Sequence, residues 1–148
     1  MRGDAARQFV DTNVLVYAHD LSAGEKQRRA QELVAELWET GGGCLSLQVL
    51  QEFYVTVTQK VAKPLPPAEA ARLVADLSVW RVHVPGVADL LAAIEIQQRN
   101  RISFWDAMVI RSAQALDCQV IWSEDLNPGQ AYDGVRVMDP FVSAGRER

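Results

Sequence analysis

The sequence predicts a single α/β domain in which helices cover both faces of a mainly parallel sheet. Two observations carry that expectation. Short strand-like runs alternate with helix-like segments, and 148 residues with 49% hydrophobic content supply one well-buried core but not two ordinary domains. A third observation bears on function: Asp11, Glu52, Asp106 and Asp125 all stand at or near the ends of apolar runs, where a folded chain usually places polar chemistry.

Gln8-Phe9-Val10 reads as the first strand. Asp11-Thr12-Asn13 then forms a turn or helix start, because short polar side chains satisfy the free N–H groups there, and Val14 to Ala18 continues as buried helix. From Glu25 to Glu39, Ala30, Leu33, Val34, Leu37 and Trp38 recur at helical spacing, and Gly41-Gly42-Gly43 ends the segment. Cys44-Leu45-Ser46 is a second short strand. Val49, Leu50, Phe53, Val57 and Val61 make one stripe of a helix over Gln48 to Val61, with Glu52 at the stripe's edge.

Pro64, Pro66 and Pro67 break the chain before a helix from Ala68 to Leu77. Val79 to Val84 is strand-like, and Val87 to Gln98 is helical. Ser103 suits the N-cap of a helix running to Leu116, which sets Asp106 at the acidic position of a capping box. On that helix Asp106, Ile110 and Ala113 share a face. Gln119 to Trp122 and Val135 to Met138 complete the strands. The ordered core is expected to span about residues 8–142, with Ser143 to Arg148 a mobile tail.

A formal net charge of −4 argues against a broadly basic surface that grips nucleic acid. Lys26-Gln27-Arg28-Arg29, Arg99-Asn100-Arg101 and Arg146-Glu147-Arg148 are candidate basic rims, although short clusters of this kind more often mark solvated helix faces or frayed ends. Cys44 and Cys118 form no zinc motif and read as small core residues. No apolar run approaches a membrane span, and Met1 to Arg7 leads into a strand-like run without a signal-peptide core, so a cytoplasmic protein is expected.

The four acids gain meaning from the fold class. A carboxylate beside an apolar core is costly unless paired or bound to a metal. In open parallel sheets the binding crevice lies outside the carboxyl ends of the strands. Asp11 and Asp125 follow strands, Asp106 begins a helix, and Glu52 lies on a helix that follows a strand, so one crevice collects all four. Converging carboxylates repel one another, and all-oxygen ligation favours a hard cation such as Mg²⁺ or Mn²⁺. Singly, each acid has an ordinary role open to it: Asp11 and Asp106 as helix caps, Asp125 in a polar turn with Asn127-Pro128-Gly129, Glu52 paired with an arginine. Their joint placement favours metal-assisted chemistry on phosphate.

Phe9-Val10-Asp11-Thr12-Asn13-Val14-Leu15-Val16-Tyr17-Ala18, Leu50-Gln51-Glu52-Phe53-Tyr54, Ser103-Phe104-Trp105-Asp106-Ala107 and Ser123-Glu124-Asp125-Leu126 resemble the successive acidic motifs of PIN domains. Their order, with Asp139-Pro140-Phe141 beyond them, is most similar to the VapC ribonuclease toxins, and the resemblance runs from Phe9 to Phe141. It implies a PIN-like α/β/α sandwich, RNA cleavage with Mg²⁺ or Mn²⁺, a homodimer and a cognate antitoxin. It also implies that Asp11, Glu52, Asp106 and Asp125 hold the metal, with Asn13 and Ser123 as polar supports. Glu124 adds an acid whose role the resemblance does not assign.

Other chemistries fit less well. His19 and His83 lack a second histidine or lysine in a nuclease pattern, and no serine lies in a Gly-x-Ser-x-Gly elbow. A phosphatase of the haloacid dehalogenase type needs a second aspartate two residues after the first, where this chain has Asn13. A PIN-like module that binds RNA or protein without catalysis remains as the alternative of a different class. The aromatics Phe53, Tyr54, Trp80 and Trp122 read as core packing, and Trp105, beside Asp106, is the one kept as a neighbour for substrate. The Val57, Val61 and Leu65 region is a candidate dimer face that core packing explains equally well.

Overall fold

Over residues 5–127 and 129–142, which the computed structural model describes, strands and helices alternate as expected. They are β1 (Gln8–Val10), α1 (Thr12–His19), α2 (Glu25–Thr40), β2 (Gly43–Ser46), α3 (Leu47–Gln59) and α4 (Pro67–Leu77) in the first half. Then come β3 (Arg81–His83), α5 (Val87–Asn100), α6 (Phe104–Ala115), β4 (Val120–Trp122), β5 (Ala131–Tyr132) and β6 (Val135–Met138).

The strands form one sheet in the order β3-β2-β1-β4-β6-β5, parallel except for the β5–β6 pair. From β1 the chain steps outward through β2 to β3, then crosses to β4 on the other side of β1. Right-handed crossovers in opposite directions place α1 to α4 on one face and α5 with α6 on the other. Accordingly α1 packs on α2 and α3, α5 packs on α6, and α6 lies against β2, β4 and β6. Phe9, Val10, Leu45 and Ile121 from the strands meet Leu15, Phe53 and Ile110 from the helices, all fully buried. Each such side chain contributes about 1.5–3 kcal/mol on leaving water.

The reversal of strand order falls between β1 and β4. Val10 pairs with Trp122 in the parallel register, so the residues that follow the two strands emerge side by side. The backbone N–H of Asp11 donates to Trp122 O at 2.9 Å and fixes that alignment. This is the topological switch point of the sheet, where open α/β folds form their crevice.

Several boundaries differ from the expectation. The third strand is limited to Arg81–His83: Val79 turns out of the end of α4 and is 77% exposed, and Val84 is exposed beyond the edge. The helix expected to reach Val61 ends at Gln59, where Lys60 caps it. Val57 is buried, and Val61 and Leu65 are partly buried and pack against the core. Gly41, with φ 77°, ends α2 in the left-handed region, while Gly43 belongs to β2, where a Cβ would lie 2.4 Å from the Trp80 ring. Cys44 and Cys118 are free, buried thiols. The expected mobile tail from Ser143 to Arg148 lies outside the described residues.

Candidate active site

Asp11 is both helix cap and cleft residue. It is the N-cap of α1, with extended backbone, and its Oδ1 accepts the N–H of Thr12 at 2.8 Å. Its Oδ2 accepts the Ser123 hydroxyl at 2.8 Å from the end of β4. The carboxyl is buried, and that burial pushes its pKa up to about 6. The two hydrogen bonds favour the charged form and oppose the rise, while the charges of Asp106 and Glu52 add to it.

The other three acids arrive from separate elements. Ser103 caps α6 as its sequence predicts, its hydroxyl accepting the Asp106 N–H at 3.0 Å, and so sets Asp106 in the first turn facing the cleft. Burial also raises the Asp106 pKa, against the Ser103 contact and with help from Asp125 and Glu52. Glu52 projects from α3 into solvent at the rim. It accepts the Thr12 hydroxyl at 2.8 Å and the Gln48 side-chain amide at 3.3 Å, and among the described residues no arginine pairs with it. Asp125 accepts the Asn13 amide at 3.0 Å, and Asn13 Oδ1 accepts the Glu124 N–H at 3.2 Å. One asparagine thus clasps two consecutive residues after β4.

All four acids line one cleft of about 380 Å³, together with Thr12, Asn13, Gln48 and Trp105. Among the described residues no lysine, arginine or histidine lines it. Uncompensated carboxylates in a partly desolvated cleft call for a hard cation, and an all-oxygen donor set fits Mg²⁺ or Mn²⁺. Among the described residues no three His, Cys, Asp or Glu side chains are drawn close enough to grip an ion alone. The carboxylates stand around the cleft and do not form a closed cage.

Ser123, fully buried, ties the site together. Besides donating to Asp11, its Oγ accepts the N–H groups of Asp125 and Leu126 at 3.1 and 3.3 Å. Glu124, whose role the sequence leaves open, points away from the cleft. Its Oε1 accepts the Tyr17 hydroxyl at 2.9 Å and its Oε2 pairs with Lys26. Lys26 in turn lies over the Tyr17 and Phe141 rings, 4.8 and 5.3 Å from their centroids. Glu124 therefore pins the loop after β4 to α1 and α2.

The sequence reading overlooks Thr12 and Gln48. Both carry a signal: Thr12 adjoins Asp11, and Gln48 lies one helical turn before Glu52 on the same face. The histidines stand elsewhere. His19 Nδ1 lies 3.0 Å from Leu15 O, and His83 lies between Ser112 Oγ at 2.8 Å and the Asp89 carboxylate at 3.4 Å, on the α5–α6 side of the sheet. Most of the candidate basic rim is occupied: Arg28 pairs with Glu25 and Glu32, Arg29 with Glu32, and Arg99 with Asp133. Arg146 and Arg148 lie outside the described residues.

Comparison with solved structures supports the fold. The chain is 20% identical to the Mycobacterium tuberculosis toxin VapC20, described as cleaving the sarcin–ricin loop, covering 80% of this chain and 89% of that one with a TM-score of 0.61. A toxin–antitoxin complex from Klebsiella pneumoniae is 20% identical over 93% of this chain and 98% of its own, with a TM-score of 0.66. DNA-bound VapBC from Salmonella typhimurium is 16% identical over 92% and 99%, with a TM-score of 0.65. A comparison with curated proteins found no match. The sequence model of the PIN domain matches residues 9–132, a span that holds every acid of the cleft, and the chain belongs to the PIN domain family.

Proposed function

We propose that the protein is a metal-dependent endoribonuclease, the toxin of a toxin–antitoxin pair. The observation that carries this reading is the cleft lined by four carboxylates and, among the described residues, by no cationic side chain, with Asp11 buried in it and held at about 6. Such a site gains stability by taking a divalent cation and then attracts phosphate instead of repelling it. The likeness of the fold to a VapC toxin and to toxin–antitoxin complexes supports an RNA substrate and an antitoxin partner. A homodimer and a cytoplasmic location are part of the same proposal, as is a single PIN-like domain over residues 1–148.

Asp11 and Asp106 are assigned as direct ligands, with Glu52 and Asp125 completing the set. A divalent cation held there would lower the pKa of a bound water and offset charge that develops on the phosphate oxygens. Ser123 and Thr12 N–H hold the Asp11 carboxylate in one orientation, Thr12 and Gln48 restrain Glu52, and Asn13 restrains Asp125. Fixed ligands of this kind spare the site the reorganisation that floppy ones require. The expected products of water attack are a 5′-phosphate and a 3′-hydroxyl.

Purified protein incubated with labelled RNA should cut it with Mg²⁺ or Mn²⁺ and stop on chelation, and Asp106→Asn should be inactive. Cleavage undiminished in excess chelator, or retained by Asp106→Asn, would overturn the assignment. A PIN-like module without catalysis predicts RNA binding and no products.

A further inference from the structure

Trp105 presents a large apolar surface to water at the mouth of the cleft, being 61% exposed. The chain's other tryptophans are accounted for: Trp80 is buried, Trp38 meets Trp80 edge-on at 5.4 Å, and Trp122 donates its Nε1–H to Gln8 at 2.6 Å. Trp105 is nevertheless held in place. It occupies the first turn of α6, its ring meets Phe104 edge-on at 5.0 Å, and its carbonyl accepts the Gln48 amide at 3.4 Å. The same Gln48 amide donates to Glu52, so the backbone that carries Trp105 and an acid of the cleft share one restraint.

Resting on the nuclease reading of that cleft, we infer that Trp105 forms a nucleobase subsite, taking by stacking one unpaired base of single-stranded RNA that flanks the attacked phosphate. Three features favour a base as the occupant. Trp105 immediately precedes Asp106, so whatever touches the indole is beside the carboxylates. Among the described residues the cleft lining holds no cationic side chain, and Trp105 is the broad aromatic face at its mouth, a surface that suits a base rather than a phosphate. An indole has only two side-chain torsions to fix on stacking, and every base presents a π face. Bases inside an A-form duplex keep their faces covered, so the subsite selects unpaired strands.

The test measures binding of a short labelled single-stranded RNA to the full chain carrying Asp11→Asn, so that strands stay whole. Strands with a single abasic ribose, walked along the sequence, are compared with the intact strand. One or two adjacent abasic positions should weaken binding about tenfold and the others much less. Adding Trp105→Ala should weaken binding of the intact strand by a similar factor and abolish the response to the abasic site, while Trp105→Phe should keep most of both. Equal affinity for intact and abasic strands, or an alanine variant that still distinguishes them, would overturn the subsite.

Cleavage by the native chain on the same strands separates this inference from the one beneath it. Base-dependent binding through Trp105 without any metal-dependent cutting supports the subsite and removes the nuclease. Metal-dependent cutting with binding indifferent to Trp105 removes the subsite and keeps the nuclease. Loss of affinity for a protein partner in Trp105→Ala, with base preference unchanged, would assign the indole to protein docking instead.

Discussion

Ser123 donates to the Asp11 carboxylate at 2.8 Å across 112 residues of sequence, and the same oxygen accepts the backbone N–H groups of Asp125 and Leu126. The hydroxyl thereby couples the acid at the end of β1 to the loop at the end of β4. Parallel pairing of Val10 with Trp122 delivers the two residues to the same level, so this coupling is a direct consequence of sheet register. A hydroxyl is suited to it because it donates one hydrogen and accepts through two lone pairs.

Asp11 makes the metal-free protein sensitive to pH. Its carboxyl sits at about 6 in the folded chain against an ordinary value of 3.8, so between those values the folded state binds more protons than the unfolded one. Stability therefore falls as pH rises through that window and stays lower above it, by about 3 kcal/mol at most. Melting temperatures of the native chain and Asp11→Asn, compared in chelator from pH 4 to 8, should diverge between pH 4 and 6 in favour of the variant and then run parallel. Curves parallel throughout would mean that Asp11 carries no such strain.

Much of this site is legible in the sequence because it depends on chain direction and local chemistry. Asp11 and Asp125 follow strands, Ser103 announces a helix start, and those facts place three acids at one edge of the sheet. What the sequence conceals depends on partners. β5 is two residues, Ala131–Tyr132, and exists because β6 folds back beside it through Gly134, whose φ is 92°. Val79 and Val84 have strand-forming side chains but no neighbouring strand to pair with. Glu124 looks like a fifth member of the acid set until Tyr17 and Lys26 are seen to occupy its carboxylate.

That occupation makes Glu124 separable from the acids on either side of it. Glu124→Gln keeps an acceptor for the Tyr17 hydroxyl and loses the ion pair with Lys26. Because Lys26 is 42% exposed, solvent screens the pair and its loss should cost under about 1 kcal/mol. Glu124→Ala loses both contacts and frees the loop that carries Asp125. In cleavage assays the glutamine variant should stay near native, while the alanine variant should need several-fold more Mg²⁺ for half-maximal rate. Inactivity of the glutamine variant would place Glu124 among the reacting groups.

The acids also predict how metal ions act on stability. A cation that binds only the folded chain stabilises it by about 2.7 kcal/mol at a hundredfold excess over Kd. Mg²⁺, Mn²⁺ and Ca²⁺ should each raise the melting temperature of the native chain, and each should raise that of Asp11→Asn less. Ca²⁺ should nevertheless support little cleavage, since its longer and more flexible coordination activates water poorly. Zn²⁺ should not be required. An equal shift in both proteins would move the ion away from Asp11.

The identity of the attacking group is open to a direct chemical test. If water attacks the phosphorus, the ribose 2′-hydroxyl beside the scissile phosphate takes no part in bond formation, and its replacement by hydrogen removes only a binding contact. A single 2′-deoxy substitution there should slow cleavage by no more than about tenfold, the scale of one lost hydrogen bond. End analysis should find 5′-phosphate and 3′-hydroxyl termini. If the ribose attacks, the substitution abolishes cleavage and the normal products carry 2′,3′-cyclic phosphate. That mechanism needs a base to take the 2′ proton, and neither His19 nor His83 lines the cleft. Asp11, held at about 6, would then be the group within the cleft best placed in pKa to accept it, and its assignment as a metal ligand would have to be abandoned.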